Sequence, residues 1–374
     1  MKLTLLTEKL KKGVEIISKI PIKKFSLPIL ENVLVTAEKN FLILNVTDLE
    51  SGIFWKTLAK VENEGKICIR KKVIESFVNF LPQGKIELEK KDLTLQIKSE
   101  NFLTKIKGED PEEFPIIPQP KEGEFILTSS KIFCEGLSKV FNLPSPSLGR
   151  PEISGVLLDF SPEGIKFVAT DSFRLGEKRI SQKLDISKPY SLILPQAGAK
   201  EIFNIFSKED REIKIYLSPN QIFIEAQMIE TPEPEIIFTS RLIEGEYPNY
   251  EEIVPKKFET EAVLKTEEFF KKIKTASLFS SKINEVKLKF LPKEKKVEIL
   301  SENPDLGEFK SEIFSQIKGK EMKISFNYKF LLDGISSMTK EDFIFYLTNP
   351  EGPAMLRPKD DQSYYYLLMP IKMS

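Results

Sequence analysis

Apolar positions along the chain switch between two spacings, and the switch repeats three times. LTEKLKKGVEIISKI from Leu6, LTSSKIFCEGLSKVF from Leu127 and LKTEEFFKKIKTASLF from Leu264 carry apolar residues at helical spacing behind a Thr or Ser placed for an N-cap. After each come two β-rich runs around a polar turn, Val33–Asp48, Val156–Asp171 and Val286–Leu300. A second helix-period stretch follows (RKKVIESFVNFL, QAGAKEIFNIFS, NYKFLLDGISSM), then a second hairpin from Ile86, Ile213 and Phe343. The copies close with Phe114-Pro115, Tyr247-Pro248 and Met369-Pro370. Equivalent points recur about every 120–140 residues, which is a domain repeat and not a solenoid repeat of roughly 20–50 residues.

Pro-, Gly- and Glu-rich joints at Pro115–Glu124 and Tyr247–Glu259 separate the copies. They predict domains at 1–121, 122–255 and 256–374. Each reads helix–strands–helix–strands, an α+β domain with two helices and mainly antiparallel sheet. The 56 basic and 56 acidic residues cancel overall but not locally. The first domain has 21 basic and 17 acidic residues, the second 14 and 21, the third 21 and 18.

The 374 residues include no histidine and only two cysteines, Cys68 and Cys134. That removes Ser–His–Asp and Cys–His nucleophiles, His-based metal sites and a Cys₄ site within one chain. No metal or cofactor is expected. The sequence contains neither a P-loop nor a Gly-rich dinucleotide fingerprint. MKLTLLTEKLKKGVEIISKI lacks the apolar run and cleavage site of a secretory leader, and no stretch approaches 18 apolar residues. With so few cysteines, a reducing cytoplasm and no membrane contact are the expectation.

Seven segments then matter in order: Leu27–Asn32, Thr47–Glu50, Glu113–Pro115, Ala169–Leu175, Glu246–Tyr250, Phe326–Tyr328 and Leu368–Met373. On a threefold repeat, this succession resembles the bacterial DNA polymerase III beta subunit family along the whole chain. The resemblance implies the DNA clamp fold, with two chains closing a homodimeric ring of six domains around double-stranded DNA. It implies no catalysis, only the tethering of a polymerase for processive replication. The implied partners are the polymerase III catalytic subunit, the clamp loader, and other polymerases and repair proteins carrying a clamp-binding peptide.

A ring that slides needs phosphate contacts without base readout. On the first helix Leu6, Leu10, Val14 and Ile17 fall within about 80° and form a core stripe. Lys12 and Lys19 lie opposite, Lys9 on the flank, and Glu8 and Glu15 share the far side. The resemblance adds Lys24, Lys71 and the loop ending at Arg150 as DNA-contacting positions. It places a peptide-binding pocket at Ile153, Thr170, Ser172, Arg174, Leu175, Pro248, Ile253, Leu367, Met369, Pro370, Ile371 and Met373. Ser172 and Phe173 stand where Gly and His are often seen, and Glu252 where a basic residue is common. Phe102 and Leu278 match apolar positions of the ring joint. Two rivals stay open at this point. Thr47-Asp48 and Thr170-Asp171 could supply a two-carboxylate hydrolase, although recurrence at equivalent positions reads as turn formation. The repeats could also be a scaffold that binds no DNA.

Overall fold

A computed structural model describes residues 1–22, 27–121 and 123–372. The chain forms two compact units, one of Met1–Glu135, Leu184–Pro189 and Ala197–Glu244, the other of Gly136–Lys183, Tyr190–Gln196 and Gly245–Ser374. The first unit contains a thirteen-stranded sheet; the second contains a nine-stranded and a four-stranded sheet. The middle repeat contributes to both units. Its strands Phe125–Ser129, Glu212–Leu217, Gln221–Gln227 and Pro234–Arg241 extend the sheet of the first repeat, where Pro234–Arg241 pairs with Ser51–Leu58. Its other strands extend a sheet of the third repeat, where Arg174–Ser181 pairs with Tyr364–Leu368. Pairing is antiparallel, and side-chain alternation follows from the pleat. In Glu285–Leu291, Val286, Leu288 and Phe290 are fully buried while Lys287 and Lys289 are half-buried.

Six helices occur among the described residues: α1 (Thr7–Ile17), α2 (Lys71–Val78), α3 (Ser130–Ser138), α4 (Gln196–Phe206), α5 (Thr266–Ala276) and α6 (Tyr328–Ser336). Each repeat begins with a short strand ahead of its first helix: Lys2–Leu6, Phe125–Ser129 and Thr260–Lys265. This corrects one expectation. Leu6 is 44% exposed and not part of the core stripe, because its backbone is extended and the helical angle starts one residue later. Leu10, Val14 and Ile17 are buried as the period predicts.

Ser129 Oγ caps α3 by accepting the Ile132 amide at 3.3 Å, but the hydroxyls on the first residue of each helix do not act as caps. Thr7 Oγ1 donates to the Pro82 carbonyl, Ser130 Oγ to Glu209 and Thr266 Oγ1 to Lys340, each at 2.8 Å. The adjoining amides of Thr7, Ser130 and Thr266 donate to Gly84, Arg211 and Glu341. The same pair of bonds thus ties each first helix to the segment behind the second helix of its repeat. Close packing accounts for a small residue six places into two of these helices. A Cβ on Gly13 would lie 2.4 Å from the ring of Trp55, and one on Gly136 2.3 Å from that of Phe167.

Candidate peptide groove and DNA-facing residues

The groove is built on a turn whose bonds come from Thr-Asp. Thr170 Oγ1 donates to the Arg174 carbonyl at 2.7 Å and accepts from the Ser172 amide at 3.1 Å. Asp171 Oδ1 accepts the amides of Phe173 and Arg174, both at 3.0 Å. Ser172 takes φ 75°, a left-handed backbone that costs a non-glycine residue about 1 kcal/mol or more. Thr47–Ser51 repeats the arrangement: Thr47 Oγ1 donates to the Ser51 carbonyl at 2.7 Å, Asp48 Oδ1 accepts the Ser51 amide at 2.7 Å, and Leu49 has φ 72°. Asp48 and Asp171 are therefore turn formers in two equivalent strand connections.

The turn aims Arg174 at α6. Its Nε donates to Asp171 Oδ2 at 3.0 Å, its Nη1 to Asp333, and its guanidinium lies 4.7 Å from the centre of the Phe330 ring. Burial works against the charge; the Tyr366 phenol and the carboxylates of Asp333 and Asp171 more than offset it, so the group titrates above its ordinary range. The exposed ring of Phe173 stacks on Phe330 with centroids 6.3 Å apart. The strand Tyr364–Leu368 then delivers the last described segment. Leu175 pairs with Leu367, the Met369 amide donates to the Phe173 carbonyl at 2.8 Å, and the Ile371 amide to the Ser325 carbonyl at 2.8 Å.

Beneath lies an apolar cluster of Leu157, Val168, Leu175, Tyr250, Met355, Tyr365 and Leu367, flanked by Tyr247 and Val254. Ile153 and Thr170 are buried; Pro248, Pro370 and Ile371 are half-buried. Ile253 and Met369 are exposed at 58% and 40%. Met373 lies outside the described residues. Hydrogen bonds and the cluster thus join Thr170–Leu175 to Leu367 and Met369. Sequence reasoning missed Phe330 and Asp333. Their helix-period spacing reads equally well as core or as groove wall, and only the fold puts them against Arg174.

The basic candidates divide. Lys9 Nζ lies 3.3 Å from Glu230, and Lys12 Nζ 2.7 Å from Glu235 and 4.0 Å from Glu209. Arg150, half exposed, pairs with Glu152 at 3.3 Å. Lys24 lies outside the described residues. Lys71 requires correction. It is 3% exposed, donates to the Ile20 carbonyl and lies 3.5 Å from Glu75. Burial lowers its pKa, partly opposed by Glu75. As the first residue of α2 it turns back into the fold and presents no ammonium to a phosphate.

Phe102 opens the strand Phe102–Glu109 with its ring 5.4 Å from that of Phe77. Among the described residues, the second edge of that strand pairs only at Gly108 and Glu109. Leu278 sits 67% exposed in the 3-10 turn Ser277–Phe279. The neighbouring strand Gly307–Phe314 is the edge of its sheet.

The DNA polymerase III beta subunit descriptions for the N-terminal, central and C-terminal domains match residues 1–118, 145–249 and 251–372. The chain belongs to the DNA polymerase III beta subunit family. A beta sliding clamp of Bacillus subtilis is 25% identical over 384 residues, covering all of both chains. One from Staphylococcus epidermidis is 26% identical over 357 residues, covering 93% of each. The solved Bacillus subtilis clamp superposes over both full chains with a TM-score of 0.92 at 25% identity. The Thermotoga maritima beta subunit does so at 0.91 and 24%, which speaks for the fold alone. Within the family the role is that of the sliding clamp. It is a non-catalytic, DNA-binding processivity factor of replication that works with a DNA polymerase. This sets aside the hydrolase and DNA-free scaffold readings. No helix among the described residues is long and apolar enough to cross a membrane.

Proposed function

We propose that two copies of this chain close head to tail into a cytoplasmic ring of six domains, bounded within each copy near residues 121 and 255. The ring carries duplex DNA through phosphate contacts from Lys9, Lys12, Lys24 and Arg150. The joint pairs Phe102 and its strand with Leu278 and the edge Gly307–Phe314 of the other copy. Exposed Lys105 and Lys107 on one edge and exposed Glu308 and Glu312 on the other are complementary, which answers the excess positive charge of both end domains.

The groove takes the clamp-binding peptide of the polymerase III catalytic subunit, and in turn those of the clamp loader, other polymerases and repair proteins. The observation that carries this is the Met369 amide on the Phe173 carbonyl. It sets an exposed Met beside an exposed Phe over an apolar cluster. Met and aliphatic side chains make an adaptable surface for several peptides. The test is deletion of Met369–Ser374. A labelled C-terminal peptide of the polymerase should lose binding at least tenfold. Sedimentation should still find the dimer, and closed circular DNA should retain it at salt that strips linear DNA. Unchanged peptide affinity would misplace the groove, and equal loss from circles and linear DNA would sink the ring.

A further inference from the structure

The groove rests on a buried carboxylate. Glu177 lies on Arg174–Ser181 and is 1% exposed. Its Oε2 accepts from the Tyr250 hydroxyl at 2.7 Å and from the Tyr365 hydroxyl at 2.9 Å; its Oε1 accepts from Arg179 Nε. These bonds join three segments that each carry groove residues. Arg174 and Leu175 precede Glu177 on its own strand. Tyr250 opens the 3-10 turn Tyr250–Ile253, two residues after Pro248. Tyr365 lies two residues before Leu367, directly across from Glu177 in the strand register.

The fold does not demand a carboxylate here. Counted from the matching turn, the equivalent cross-strand pair in the first unit is Phe54 with Ile237, both apolar. A buried charge is expensive unless fully bonded, and here two phenols and a guanidinium bond it. Burial first, and then Glu177, raises the pKa of both tyrosines, so both stay donors at any working pH. We propose that Glu177 is a positioning residue of the peptide groove. It clamps the Pro248–Ile253 segment onto the sheet so that Pro248 and Ile253 face Leu367 and Met369 at a set spacing. The inference rests on the peptide reading above.

The test titrates the labelled polymerase peptide against the full-length protein and its variants, with hydrogen exchange of amides 249–254 read in parallel. Glu177→Ala should weaken the peptide about tenfold and speed local exchange, with the dimer intact. Tyr250→Phe should weaken it several-fold, and the double variant should be no weaker than Glu177→Ala alone. Glu177→Gln, which keeps an acceptor, should restore most of the affinity. A triple variant, Glu177→Leu with Tyr250→Phe and Tyr365→Phe, removes the polar set together and separates stability from positioning, since replacing all partners can leave stability nearly unchanged. With melting temperature restored, weak peptide binding supports the clamp, and full binding overturns it. Slow exchange at 249–254 in Glu177→Ala also overturns it. If the unaltered protein fails to bind the peptide, the groove reading fails, while the exchange data still decide whether Glu177 holds the segment.

Discussion

The chain makes the same strand junction twice, and only one of the two carries the proposed peptide site. In the first unit the turn Thr47–Ser51 leads into a strand paired with Pro234–Arg241, and the Arg241 amide donates to the Glu50 carbonyl at 2.8 Å. In the second, Thr170–Arg174 leads into a strand paired with Tyr364–Leu368, and the Met369 amide donates to the Phe173 carbonyl at the same distance. The backbone is equivalent down to the left-handed residue, Leu49 in one and Ser172 in the other. The side chains are not. The first junction closes on a loose pair, Glu50 with Arg241 at 3.8 Å, with side chains 64% and 60% exposed. The second holds an arginine between two aspartates and an aromatic ring, with Met, Pro and Ile behind it. The two junctions therefore differ in side chains grafted on a repeated frame, where the proposed peptide site would reside.

Removing the cation from each junction gives the largest contrast. Arg174→Ala leaves Asp171, whose side chain is 7% exposed, without its cation and should cost roughly 3 kcal/mol in denaturant unfolding of the second unit. Arg241→Ala should cost about 0.5 kcal/mol or less, the usual worth of an exposed pair. Equal costs would erase the distinction between the junctions.

Acid tests the first junction's unit next. Glu235 is buried; desolvation raises its pKa, but Lys12 and Arg211 outweigh that and hold it below the usual carboxylate value. A depressed folded pKa contributes stability above the ordinary value near 4.5 and loses it as pH falls through the folded one. The first unit should therefore weaken as pH drops below that value, and Lys12→Ala should flatten the dependence, read by unfolding at stepped pH. The smallest effect tests the shared backbone. Ser172→Gly and Leu49→Gly each relieve a left-handed residue and should each stabilise by about 0.5–1 kcal/mol in melting curves. A gain at only one site would show that the turns differ.

The repeats, hairpins and paired Thr-Asp turns were legible because alternating apolar residues and Thr-Asp turns are local signals. The caps of α1 and α5 were misread, while Ser129 does cap α3, because a hydroxyl at that place serves a cap or a distant carbonyl equally well, and Thr7 serves Pro82. Lys71 was placed by resemblance, and neither that nor residue type shows the direction in which its ammonium points. The Glu177 cluster left no local signal: its phenols come from 73 and 188 residues away along the chain.

The packing of Trp55 on Gly13 has an optical consequence. It is the chain's one tryptophan, fully buried in the first unit. Its emission follows the loss of that unit's core and carries no signal from the second, whereas circular dichroism sums both. A temperature gap between the two melting traces would measure how independently the halves of the clamp come apart.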